Sequence, residues 1–134
     1  MKNTLILLLL FTSCLVHAQK VQIEGPLVHS VYFWLHQPND TADRLAFETA
    51  IKKLIATNPQ GVSAFLGVPA STEVRDVVET GYTYAYMMTF ANKSAEAAYQ
   101  SDPTHLQFID EASHLWDRVQ VFDALALPTG DQNP

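Results

Sequence analysis

The chain has 134 residues, enough for one domain with a modest core, and its 8 Lys and Arg against 14 Asp and Glu give a net charge of −6. That acidity, with no basic cluster anywhere, excludes the electrostatic footprint of a protein that binds nucleic acid or an anionic membrane. A single cysteine, Cys14, excludes a disulfide framework, so packing alone must hold the fold.

In chain order, the first element reads as a secretory leader. Lys2 supplies a positive start, Leu5 to Phe11 is an unbroken apolar run, and Val16-His17-Ala18 is a small-residue cleavage pattern. The run is too short to cross a membrane, which takes about 20 residues. Residues 1–18 are therefore expected to be a cleaved signal peptide, with Gln19 first in a periplasmic or secreted protein. An alternative takes Phe11-Thr12-Ser13-Cys14 as a lipoprotein box with a lipid anchor on Cys14, although phenylalanine stands where leucine is preferred. Residues 19–26 and 127–134 are expected to be flexible flanks of a domain spanning 27–126.

Leu27 to His36 reads as a strand with two apolar faces: Leu27, His29, Val31, Phe33 and Leu35 on one, Val28, Ser30, Tyr32 and Trp34 on the other. Pro38-Asn39-Asp40 breaks it. Thr41 to Ala56 has helical spacing at Phe47, Ala50, Ile51, Leu54 and Ile55, and Asn58-Pro59-Gln60-Gly61 stops it. Val62 to Val68 alternates as a strand, with Val62, Ala64, Leu66 and Val68 on one side. After a loop, Tyr82 to Phe90 is a strand carrying Tyr82, Tyr84, Tyr86, Met88 and Phe90 on one face. Lys93 to Gln100 is a short helix, Pro103 to Trp116 a longer one, and Val119 to Leu125 the last strand.

This β-α-β-β-α-β order, with the second helix broken at Asp102-Pro103, predicts an α+β ferredoxin-like subunit. Its four-stranded antiparallel sheet would carry helices on one face. The first and third strands offer large apolar side chains on both faces, more than a monomer leaves exposed. A symmetric homodimer closed sheet against sheet, making a dimeric α/β barrel, is the expected remedy.

Chemistry concentrates between Tyr99 and Trp116. Asp102 suits an N-cap and Pro103 the first helical position, so His105 falls third. A 3.6-residue period puts Ile109, Ala112 and Trp116 on its stripe, with Phe108 and Leu115 beside it. The helix N-terminus disfavours an imidazolium there, and Asp102 opposes that effect. A neutral His105 can take a proton alpha to a carbonyl while the Tyr99 hydroxyl donates to the oxygen. Equally, it can be a core histidine bonded to a tyrosine or the backbone.

His29 reads either as a buried, hydrogen-bonded strand residue or as part of a pocket, whereas His36 and His114 read as surface residues. The tyrosine ladder Tyr82, Tyr84, Tyr86 reads first as strand packing. Arg75-Asp76 reads as a solvated ion pair or an anion grip at a pocket mouth. No His-x-x-His, Glu-x-x-His or Cys-x-x-Cys spacing occurs, so no metal site is expected. No glycine-rich phosphate loop, Walker pattern or Gly-x-Ser-x-Gly elbow occurs either, so neither nucleotide use nor serine hydrolysis is expected, and no cofactor.

Three stretches carry a resemblance: His29-Ser30-Val31-Tyr32-Phe33, Gly81-Tyr82-Thr83-Tyr84-Ala85, and Tyr99…Pro103-Thr104-His105…Phe108 to Trp116…Phe122-Asp123. Together they resemble the stress-responsive α/β-barrel family, often called Dabb, over about Val28 to Leu125. The resemblance implies a ferredoxin-like subunit and a dimer whose two sheets close a barrel. One branch, the plant polyketide cyclases that include olivetolic acid cyclase, performs an aldol-type ring closure without a cofactor, with a tyrosine and a histidine as the acid–base pair. Tyr99 and His105 stand at the matching positions, and Phe108, Trp116, Val119 and Val121 at apolar lining positions. Asp102 replaces a second histidine often found before the proline, and Tyr84 stands where Gly-Tyr-Thr-His is common.

The expected site thus has Tyr99 and His105 as catalytic groups and His29, Tyr86, Phe108, Trp116, Val119 and Val121 as substrate-binding ones. Three functions fit it: a binder of a small apolar or aromatic ligand in each subunit's cleft, a cofactor-free cyclase, lyase or isomerase acting on an oxo compound, or a structural stress protein without a ligand.

Overall fold

A computed structural model describes residues 23–127. The expected leader, Cys14 and residues 128–134 lie outside the described residues. Strand β1 (Leu27–Leu35) is followed by helix α1 (Thr41–Thr57), strands β2 (Gly61–Gly67) and β3 (Tyr84–Phe90), helices α2 (Lys93–Ser101) and α3 (Pro103–Ala112), a 3₁₀ turn over Ser113–Leu115, and strand β4 (Trp116–Leu125). The sheet runs β2-β3-β1-β4, antiparallel throughout. The fold is α+β and ferredoxin-like, as the order of elements predicts.

Local chemistry sets the boundaries. The Asp40 carboxylate accepts the Ala42 and Asp43 N–H groups, both at 2.9 Å, and so starts α1. At the far end the Asn58 side chain accepts the N–H groups of Gln60 and Gly61 and turns the chain into β2. Between them α1 buries Phe47, Ala50, Ile51 and Leu54 on the sheet. Phe47 stacks on Tyr84 with ring centroids 4.7 Å apart and meets Phe33 edge-on at 4.9 Å. In β1 the residues Leu27, His29, Val31, Phe33 and Leu35 are all buried and their neighbours half-buried, so the two-faced reading holds.

Three expectations need correction. The long helix does not reach Trp116: α3 ends at Ala112, the 3₁₀ turn follows, and Trp116 opens β4 opposite Leu35. The backbone changes hand-over there because His36 N–H bonds to the Leu115 carbonyl at 3.0 Å, drawing the turn onto the end of β1. Tyr82 does not share a face with Tyr84 and Tyr86. It precedes β3 and packs its ring on Tyr32 and Trp34, on the opposite side of the sheet. Finally, β2 is an edge strand: Ala64 and Leu66 sit opposite Met88 and Tyr86 on one face as the alternation predicts, but Val62, at a register shift between Gly61 and Ala64, and Val68, past the strand's end, are exposed.

The sheet face without helices carries Tyr32, Trp34, Tyr82 and Phe122 in edge-to-face contacts, with the Arg118 guanidinium 4.0 Å above the Trp34 ring. A groove of about 560 Å³ lies among them. Among the described residues no helix is long and apolar enough to cross a membrane.

Candidate functional site

On the helix side, cover runs out over β4. Val121 pairs with Val31 and Val119 with Phe33; the β1 partners are 5% and 3% exposed, but the β4 residues are 46% and 45% exposed. The helices cover β1 but leave these β4 side chains about half exposed, so the space between β4 and the α2–α3 junction stays open. A hollow of about 240 Å³ fills it. All eight residues singled out in the sequence line that hollow: Tyr99, His105, His29, Tyr86, Phe108, Trp116, Val119 and Val121. Trp116 takes its place from β4, not from α3, and its ring stacks on Phe108 at 5.7 Å.

Asp102 builds the chemical end. Its backbone N–H closes α2 on the Tyr99 carbonyl at 3.1 Å, and its carboxylate accepts Thr104 N–H at 2.8 Å to open α3. With Pro103 first, His105 is third, half-buried, with Nδ1 3.2 Å from the Gln100 carbonyl. A carbonyl only accepts, so Nδ1 carries the hydrogen and Nε2 of the neutral ring keeps its lone pair. Burial is the main effect holding the His105 pKa below its usual value. The Gln100 carbonyl opposes it, nearby His29 adds to it, and Asp102 and Glu96 pull back.

Tyr99 is 1% exposed, and its ring lies 4.3 Å from that of His105 with no hydrogen bond between them. Burial pushes the Tyr99 hydroxyl up to about 12, against the opposing effect of the Tyr86 hydroxyl beside it. Burial pushes Tyr86 up as well, and its hydroxyl donates to Met88 Sδ at 3.3 Å. Both phenols are therefore neutral donors at pH 7.

His29 satisfies both of its readings. It is 4% exposed, donates from Nδ1 to Asp123 Oδ1 at 2.7 Å, and still faces the hollow with its ring edge-on to Tyr99 at 5.6 Å. His36 and His114 are exposed. Arg75 and Asp76 are exposed too, and among the described residues no ion pair joins them.

Sequence spacing missed one constellation. A ring nitrogen of His29 and a carboxylate oxygen from each of Glu96 and Asp123 all lie within 4.8 Å of one another. The three come from β1, α2 and β4, so no local motif could reveal them. Only the pairing of His29 with Asp123 across the sheet carried a signal, and that requires the register.

Strand order, antiparallel pairing and one-sided helices make this a ferredoxin-like α+β subunit. The chain belongs to the stress-responsive A/B barrel domain family, whose profile matches residues 27–125. A stress-response A/B barrel domain-containing protein of Arabidopsis thaliana is 33% identical over 51 residues, which are 38% of this chain and 46% of that relative. The match thus spans about half the length of that relative.

Among solved structures, a hydroxynitrile lyase from Passiflora edulis is 18% identical with a TM-score of 0.65, covering 77% of this chain and 94% of its own. A Dabb family protein with a ferredoxin-like fold from Mesorhizobium loti is 18% identical with a TM-score of 0.63, covering 76% and 97%. A dimeric ferredoxin-like protein of unknown function from Thermobifida fusca is 16% identical with a TM-score of 0.62, covering 81% and 99%. At these identities the likeness is one of fold.

Proposed function

We propose that this protein binds a small apolar or aromatic molecule in the hollow beside His105, one in each subunit of an exported homodimer. The observation that carries this reading is an open space walled by Phe108, Trp116, Val119 and Val121 and ended by Tyr99, His105 and His29. Its volume of about 240 Å³ lies below the roughly 300–1,000 Å³ of drug-sized sites. The occupant is therefore small, a single ring or short branched chain with an oxo or hydroxyl group directed at His105. An open hollow counts against a purely structural role.

A second reading, a cofactor-free lyase, cyclase or isomerase acting on an oxo compound, has its own support. The Nδ1 contact to Gln100 leaves Nε2 of a neutral His105 free to take a proton from carbon, and a protonated Tyr99 can donate to the carbonyl oxygen. One fold relative is a hydroxynitrile lyase by name. The homodimer reading draws on the uncovered aromatic face and on dimeric fold relatives. Export draws on residues 1–18 and is tested by the mature N-terminus, which should be Gln19.

The binding test is a titration of small aromatic aldehydes, ketones and phenols, read by calorimetry and by fluorescence of Trp116. Saturable binding of one molecule per subunit is expected, and Val121→Phe, which fills the hollow from an edge strand, should abolish it. Absence of binding at millimolar concentrations, or equal binding by Val121→Phe, overturns the reading.

A further inference from the structure

We infer that His29, Glu96 and Asp123 form a binding site for one first-row divalent transition-metal ion of the zinc or manganese kind. Their candidate ligand atoms already lie within 4.8 Å of one another, delivered by three separate elements. Around an ion with bonds of about 2.0–2.2 Å, such atoms sit roughly 3.0–3.5 Å apart. The His29–Asp123 contact of 2.7 Å must open slightly, with the Nδ1 hydrogen moving to Nε2 so that Nδ1 offers its lone pair, and the widest separation must close. The movable partners are on the correct side: His29 is fixed in the core, Glu96 is half-buried, and Asp123 is exposed and gives the ion a way in.

Charge points the same way. Two carboxylates share one small region, yet among the described residues the Lys ion pairs are Lys52–Glu48 and Lys53–Glu111, and no Lys or Arg pairs with Glu96 or Asp123. Among the described residues the basic side chains near them are two imidazoles, that of His29 in direct contact with Asp123 and that of His105 farther along the hollow. The Gln100 amide donates to Glu96 Oε1 at 2.6 Å, holding that carboxylate in place. One imidazole nitrogen with two carboxylate oxygens, and no thiolate, suits zinc or manganese better than a soft ion. Three protein ligands leave positions for water or a ligand oxygen to complete the shell, and two of the three, His29 and Asp123, also line the hollow. The inference goes beyond the binding role and does not rest on it.

The test uses chelator-treated, tag-free protein titrated with Zn²⁺ and, separately, Mn²⁺, read by calorimetry and by the shift in Tm. One ion per subunit is expected. Glu96→Gln and Asp123→Asn should each weaken binding at least tenfold, and His36→Ala, which removes an exposed histidine outside the cluster, should bind as the wild type does. Both carboxylate variants keep the side-chain volume, so a change in affinity is separable from misfolding, which the melt of the metal-free variants reads. No saturable uptake of either ion, or wild-type affinity in both carboxylate variants, overturns the inference. Failure here leaves aromatic-ligand binding by the metal-free protein intact, so the two readings fail separately.

Discussion

Replacing Tyr99 by phenylalanine removes one hydroxyl from the closed end of the hollow and keeps everything the ring does. That ring packs on Phe90 at 5.1 Å, on His29 at 5.6 Å and on His105 at 4.3 Å. Because it stays, the variant avoids the roughly 3–5 kcal/mol that truncating a buried aromatic costs. The Tyr86 hydroxyl still has Met88 Sδ at 3.3 Å, so no buried donor is orphaned. The stability loss should then be that of one modest hydrogen bond, about 1 kcal/mol, or about 4–8 °C in Tm for a domain of this size. Affinity for an oxo ligand should fall by the same scale, roughly two- to twelvefold. If the site also turns a substrate over with Tyr99 as acid, the rate should drop by about 10²–10⁴. Thermal melts, calorimetry and a turnover assay on one preparation separate these quantities. A Tm loss of tens of degrees would make the hydroxyl a structural strut, and unchanged affinity and turnover would remove it from the site; either result refutes the argument.

His105 predicts a pH effect on stability. Burial lowers its folded pKa below the unfolded value of 6.5, so the folded state holds the proton less tightly. Stability is present above pH 6.5 and is lost as pH falls through the lower folded value. Asp102, Glu96, His29 and Asp123, with the phenols of Tyr86 and Tyr99, are the charged or titratable groups facing it, and His105→Ala should flatten this part of the profile in melts of chelator-treated protein between pH 5 and 8. On the uncovered face, Trp34→Glu puts a charge among Tyr82 and Arg118; light scattering at micromolar concentration should then give the mass of one subunit, and a persisting dimer would refute the sheet-to-sheet assembly. Asp40→Ala removes the cap of α1, which should cost about 1 kcal/mol and be seen as a lower Tm with the fold and the hollow unchanged.

Much of the fold was legible because its signals are local. Asp102 and Pro103 end one helix and start the next by hydrogen bonds spanning only a few residues, so His105 could be placed in the first turn from the sequence alone. The alternation of β1 was equally plain, since every second residue is buried. Failures came where tertiary contacts overruled a period. Trp116 matched the helical stripe of His105, but the Leu115 carbonyl is claimed by His36 at the end of β1, and the chain turns into β4 one residue later. Tyr82 matched the period of Tyr84 and Tyr86 yet lies before the paired strand begins, where Thr83 beside it is tied to β1 by its N–H on the Phe33 carbonyl and its hydroxyl accepting the Leu35 N–H.

The order of elements, the two apolar faces of β1 and the Tyr99–His105 spacing across Asp102-Pro103 follow from the amino-acid sequence, because each depends on bonds and periods within one segment. The hollow and the His29–Glu96–Asp123 cluster belong to the tertiary structure. The placing of the helices over β1 leaves Val119 and Val121 half exposed, and the antiparallel register of β1 on β4 brings His29 opposite Asp123, within reach of Glu96 from α2. Distances between residues far apart in the chain are set by how whole layers pack, and no short stretch of sequence encodes that.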